Sequence, residues 1–91
     1  MNKLANKVFT VHTDPGHGWL AVKEKDVEAV GLSVKDFTQF SYRSGKTLYL
    51  EEDCDYPTFW RAFKNTFGVE FNRVVKYYDK RHWIRSYERL S

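Results

Sequence analysis

The sequence predicts an α+β domain: a small, mostly antiparallel sheet with two helices packed on one face. The expected order is β-β-α-β-β-α-β, followed by an extended C-terminal tail. Three observations carry this expectation. Runs rich in β-branched and aromatic residues occur in two pairs, each joined by turn residues, as hairpins require. Residues 56–67 place aromatic side chains at three- and four-residue spacing, the mark of an amphipathic helix. Finally, 91 residues suit one modest core, so residues 1–91 read as a single domain.

Lys7 to Thr13 (KVFTVHT) alternates, with Phe9 and Val11 on one face and Val8, Thr10 and His12 on the other. Asp14-Pro15-Gly16-His17 then turns the chain, with Pro15 presetting the second position and Gly16 expected at positive φ in a type II turn. Gly18 to Val22 returns as a second strand. Lys23 to Val30 is a short helix, ended by Gly31 in the left-handed position with Leu32 touching Val27. Ser33 and Asp36 cap one further turn.

Phe37 to Arg43 and Lys46 to Glu51 form the second hairpin, joined by Ser44-Gly45, which sets Phe40 opposite Tyr49 and Tyr42 opposite Thr47. In the second helix Tyr56, Phe59, Trp60, Phe63 and Phe67 share one stripe, with Arg61 and Lys64 outside. Asp55 is its expected N-cap, Pro57 sits in its first turn, Gly68 ends it, and Cys54 and Phe59 occupy the staple positions. Val69 to Tyr78 completes the sheet, with Val69, Phe71, Val75 and Tyr77 on one side and Arg73 among them. Asp79-Lys80-Arg81 turns the chain, and His82 to Leu90 continues extended.

Composition narrows the function classes. Aromatic residues make up 18% and supply a core, while 30% charged residues with only two prolines argue against disorder. The apolar runs are too short to span a membrane, and residues 1–20 lack a signal-peptide layout, so the expected setting is cytoplasmic. A lone cysteine, Cys54, excludes an internal disulfide and a multi-Cys zinc site. Gly16-His17-Gly18 lacks the spacing and the lysine of a phosphate cradle. The net charge of +3 is unevenly spread. Residues 1–55 carry seven Lys/Arg against nine Asp/Glu, and residues 56–91 carry eight against three. A basic half beside an acidic half fits a nucleic-acid face or a mixed-charge protein partner.

The basic surplus concentrates in Arg73–Arg89. Arg81, Trp83, Arg85, Tyr87 and Arg89 alternate cation and ring, and in extended form they share one face, with Lys76 and Lys80 beside them. Cations hold phosphates and flat rings stack on unpaired bases, so this alternation is what a single-stranded nucleic acid requires. The structural alternative is that Trp83 and Tyr87 belong to the core and the arginine stems cover it.

Two other constellations invite chemistry. His12, Asp14 and His17 offer the ligand types of a catalytic metal, and with Glu51 or Glu52 they make a metal-dependent hydrolase an alternative. Asp14 before proline is equally the residue that caps a turn. The run Glu51-Glu52-Asp53-Cys54-Asp55 has the oxygen ligands for Mg²⁺, but it also precedes a helix, whose N-terminus favours negative charge. Its carboxylates raise the pKa expected for Cys54, which argues against a nucleophile there.

The segments HTDPGHGWLAV (12–22), SYRSGKTLYLEEDCD (41–55) and IRSYERL (84–90) resemble a family of small proteins from phages and bacterial mobile elements. The resemblance covers about a third of the chain and carries no catalytic residue. It implies a cytoplasmic accessory protein of a bacterial host cell, of the kind that counters host defence. Among such proteins are small basic inhibitors of the RNA-cutting toxins of RNA–protein toxin–antitoxin systems. The leading expectation is a non-enzymatic protein with no cofactor that binds RNA, a host protein such as a toxin ribonuclease, or both through its basic aromatic C-terminal half, with Lys76, Lys80, Arg81, Trp83, Arg85, Tyr87 and Arg89 as the nucleic-acid-binding residues. An RNA-independent inhibitor, docking on a host protein by its acidic or basic patch, is the alternative from a different class. Oligomeric state is left open.

Overall fold

A computed structural model describes residues 3–81 and 83–90. Its sheet has six strands: β1 (Val8–Thr13), β2 (Gly18–Lys23), β3 (Tyr42–Ser44), β4 (Thr47–Glu51), β5 (Asn72–Tyr77) and β6 (Glu88–Arg89). The helices are α1 (Glu24–Ala29) and α2 (Tyr56–Phe67). The strands lie in the order β5-β1-β2-β4-β3-β6. The α+β class and the element order are as expected, but the sheet is mixed, because β5 pairs with β1 in parallel. The reason is topological. β1 and β4 both run antiparallel to β2, and α2 carries the chain from the end of β4 to the far edge, so β5 starts from the same end as β1.

The first hairpin closes differently from the expected turn. Gly16 does not have positive φ. Instead Asp14 Oδ1 accepts the N–H groups of Gly16 and His17, both at 2.9 Å, while Asp14 N–H donates to the His17 carbonyl. A short polar side chain thus imitates a backbone turn. α1 ends as its sequence demands. Gly31 takes φ +81°, with Leu32 N–H donating to the Val27 carbonyl at 3.0 Å and Gly31 N–H to that of Glu28. Ser33 N–H donates to Asp36 Oδ2 at 2.8 Å and starts a 3₁₀ turn, Val34–Asp36.

The second hairpin turns at Gly45-Lys46, not Ser44-Gly45. Tyr42 therefore faces Tyr49 and Ser44 faces Thr47. Gly45, at φ +60°, sits at the first central position, where a two-residue turn of type II′ takes glycine. The shift is two residues, so every side chain keeps its face while its partner changes. Phe37–Ser41 consequently leaves the sheet as a loop. Asp55 holds that loop: its carboxylate accepts Thr38 N–H, Thr38 Oγ1–H and Ser41 Oγ–H. It therefore stands at the N-cap position of α2 without capping it through its side chain. The expected staple is also absent, because Cys54 is exposed. Gly68 ends α2 at φ +75°.

One face of the sheet presents Phe9, Val11, Leu20, Val22, Leu48 and Leu50 to Val27 of α1, to Val30 at its C-terminal end and to Phe59 and Phe63 of α2. Both helices lie on that face. Phe9 meets Phe59, Phe63 and Phe71 edge-on, with ring centroids 5.1–6.0 Å apart. Only Phe71 of the 69–78 run enters this core. Val69, Val75 and Tyr77 are exposed, as are all six residues of β5, because that strand is the sheet's outer edge. Phe59→Ala or Phe63→Ala, each removing a fully buried ring, should cost about 3–5 kcal/mol in chemical denaturation. Val75→Ala, on the open edge, should cost under about 0.5 kcal/mol in the same measurement.

Candidate nucleic-acid interface

The opposite face of the sheet carries a second cluster, Trp19 of β2, Tyr42 of β3 and Ile84, with Tyr49 and Tyr87 packed against it. Ile84 and Tyr87 come from the C-terminal segment, which crosses this face. It does so as a 3₁₀ turn, Trp83–Ser86, and then as the two-residue strand β6, where Arg89 pairs with Tyr42. The expected extended run from His82 is thereby replaced over 83–86; His82 itself lies outside the described residues.

Arg85 fixes the segment in place. Its Nε and Nη2 donate to the two oxygens of Asp14 at 3.0 and 2.8 Å, and its guanidinium lies over the Trp19 ring at 5.5 Å. The Asp14 side chain is fully buried. Asp14 thus accepts the turn's two N–H groups and the arginine together. The same contact explains Gly16, since a Cβ there would stand 3.0 Å from Arg85 Nη2.

The turn also redistributes the residues singled out in the sequence. Arg81, Arg85 and Arg89 converge on one cleft of about 390 Å³, together with His17, Trp19, Phe40, Tyr42 and Glu51. Arg89 lies over the Tyr42 ring at 4.9 Å and donates to the Gln39 carbonyl at 2.9 Å. Arg81 is exposed and forms no ion pair with a described residue. Trp83 and Tyr87 do not line this cleft. Trp83 is 53% exposed and meets Tyr78 edge-on at 5.1 Å, while half-buried Tyr87 packs against Tyr49 at 5.3 Å. Burial, and then the charge of Tyr87 and its hydrogen bond, push the Tyr49 phenol pKa up. Lys76, on β5, and Lys80, in the bend after it, are exposed beside the segment. The predicted face of five alternating residues is therefore a cleft of three arginines with two rings outside it. Phe40 and Tyr42 were not expected in a site. The signal for Phe40 was the Gly45-Lys46 turn, which releases it from the sheet and leaves it 52% exposed.

The metal alternative loses its geometry. Among the described residues no three His, Cys, Asp or Glu side chains come together as a metal site. Asp14 is committed to Arg85, and His12 packs between Tyr49 and Tyr78 on the sheet face. His17 Nδ1 lies 3.9 Å from Glu51 Oε1. The acidic run is largely structural. Glu51 Oε2 accepts the N–H groups of Asp53 and Cys54 at 2.9 Å, and Asp55 serves the 38–41 loop. Partial desolvation, a hydrogen bond to Glu51 and the surrounding carboxylates raise the Cys54 pKa. That is the direction opposite to activation.

No family model matches the chain, and neither a curated protein nor a solved structure is similar enough to count as a match. Among the described residues no helix is long and apolar enough to cross a membrane.

Arg85→Ala strands a buried carboxylate and Asp14→Ala strands the arginine. Each should cost about 3 kcal/mol or more, and the double variant clearly less than the sum, in a double-mutant cycle of unfolding. A separate outcome concerns Glu52, whose pKa is raised by desolvation and by Asp53 and Glu51, against a lowering by His17. The folded state disfavours its ionised form, so Glu52→Gln should raise the melting temperature near neutral pH. The gain should vanish below the carboxylate range, where Glu52 is protonated in both states. Solvent screening at this exposed position keeps the effect small.

Proposed function

We propose that this chain is a non-enzymatic accessory protein that binds RNA through its C-terminal segment. The observation that carries the reading is the convergence of Arg81, Arg85 and Arg89 on one cleft with Trp19, Phe40 and Tyr42. Arg81 and Arg89, both exposed, hold phosphates. Arg85 is a positioning residue, because its charge is met by Asp14 and its plane by Trp19. Phe40 within the cleft and Trp83 outside it offer faces for unpaired bases. Lys76 and Lys80 add diffuse attraction, and Tyr87 supports the cluster beneath. The resemblance to phage proteins extends the proposal to a bacterial cytoplasm and to a host RNA-cutting toxin as the target, met together with RNA.

A specific observation favours a second reading, an RNA-independent protein partner: β5 leaves all six of its residues exposed at the sheet edge. Such an edge pairs readily with another strand. Capture from bacterial lysate with and without nuclease separates the two, since partners retained through RNA are lost on digestion.

The direct test is a shift assay on single-stranded RNA over a range of salt. Arg81→Ala with Arg89→Ala should weaken binding at least tenfold. It should also make the slope of log affinity against log salt shallower by about 1.4, or about 0.7 per lost phosphate contact. The control Lys25→Ala with Lys35→Ala removes the same charge from exposed positions outside the cleft and should leave the slope unchanged. Unaltered binding by the arginine variant would overturn the assignment.

A further inference from the structure

The outer edge of the sheet has a geometry that neither the core nor the arginine cleft uses. β5 pairs residue by residue with β1 along its whole length, contains no proline and ends the strand order. Natural sheets blunt such an edge with short strands, prolines or bulges. Here a regular strand of six residues exposes Val74, Val75 and Tyr77 instead, the last of them by 64%. Tyr78 N–H donates to the Thr13 carbonyl at 2.8 Å, and the Lys76 carbonyl oxygen lies 3.5 Å from Thr13 Oγ1. Main-chain groups alternate sides along a strand, so the even-numbered residues of β5 face β1. The N–H and C=O groups of Arg73, Val75 and Tyr77 therefore point away from the sheet.

We infer that the strand completing this edge is β5 of a second copy, paired antiparallel about a two-fold axis at Val75. Outward groups must meet outward groups, which leaves few registers. An axis at either end of β5 leaves most of the strand unpaired. An axis at residue 73 or 76 sets Arg73 or Lys76 opposite its own copy, and like charges directly opposite are destabilising. An axis at Val74 gives Arg73 only the partner's Val75. With Val75 on the axis, Arg73 faces the partner's Tyr77, Val74 faces the partner's Lys76, and Glu70 falls towards the partner's Lys80. Arg73, Val75 and Tyr77 share the α2 side of the sheet, in register with Phe9, Val11 and Thr13. The partner's Tyr77 thus arrives beside Arg73 at a cleft of about 480 Å³, lined also by Tyr56, Trp60, Phe71 and Glu70. Arg73 already lies over the Tyr56 ring at 5.9 Å, and a second ring beside it extends the same attraction. The two-fold repeats the exchange, each copy placing Tyr77 at the other's cleft. This self-complementarity favours a second copy over a host strand.

The test uses the full chain, freed of nucleic acid by nuclease, in sedimentation equilibrium over a wide range of concentration. The mass at high concentration should be twice 10.9 kDa. Main-chain hydrogen bonds carry the pairing, so the axis tolerates a small residue but not a charge. Val75→Lys should weaken dimerisation about fivefold or more. Val8→Lys, at another exposed valine, on β1 and away from the edge, should leave it unchanged. Glu70→Lys or Lys80→Glu alone should weaken it, and the two together should restore it. Oxidative cross-linking in a Cys54→Ser background reads the register. Residues in a hydrogen-bonded antiparallel pair stand about 5.5 Å apart at Cα, within disulfide reach. Val75→Cys should therefore cross-link, while Val74→Cys, set opposite the partner's Lys76, should not. A monomer at every concentration overturns the inference, as does a dimer indifferent to Val75→Lys or cross-linked equally at both positions. RNA binding through the arginine cleft does not depend on this edge, so that reading stands or falls by its own assay.

Discussion

The contact between Asp14 and Arg85 spans 71 positions of sequence, and the second face of the sheet is organised around it. Asp14 takes two N–H groups from its own turn and two from the arginine, so its buried charge is satisfied on every side. A bidentate guanidinium is the cation best suited to this, being planar, permanently charged and able to stack on Trp19. With Arg85 held, Ile84 is pressed into the space over Trp19 and Tyr42, and Arg89 reaches Tyr42 and Gln39. The two exposed arginines of the cleft are therefore set by a third that is not exposed. Removing that pair would release the segment that makes the cleft.

Carboxylates do the same work elsewhere in the chain. Asp26 accepts Lys23 N–H and the Lys7 ammonium, and Asp36 accepts Ser33 N–H. Glu51 holds the turn into α2, and Asp55 gathers Thr38 and Ser41. Asp14, Asp26, Glu51 and Asp55 are the buried charged side chains among the described residues, and all four are acidic. The N-terminal half is formally acidic, yet much of that charge is turned inward. The exposed surface is consequently more positive than the net charge of +3 indicates.

The two sheet faces divide the labour. One buries the phenylalanine core under α1 and α2 and supplies most of the hydrophobic stabilisation. The other is covered only partly, by a short C-terminal segment with a smaller apolar cluster. A cleft between a rigid sheet and a short covering segment places flat rings and cations on a fixed floor.

Much of the fold was legible in residues 7–36 and 46–68, because their signals are local. Alternation fixed the faces of β1, glycine chemistry ended both helices, and the three-four spacing of Phe59 and Phe63 declared the core side of α2. The register of the second hairpin was not legible. Ser44-Gly45 and Gly45-Lys46 differ by a two-residue shift that leaves the hydrophobic pattern unchanged, so only the geometry at Gly45 distinguishes them. The parallel placement of β5 depends on where α2 delivers the chain, which no local pattern records. In the candidate site, the sequence marked the basic-aromatic segment and named the three arginines. It treated them as equals along one strand. Only the tertiary structure separates Arg85, consumed by a carboxylate from the first turn, from Arg81 and Arg89, which remain open at the cleft. Composition and periodicity determine which residues carry charge and rings; which charges are neutralised depends on partners distant in sequence, and folding alone brings those together.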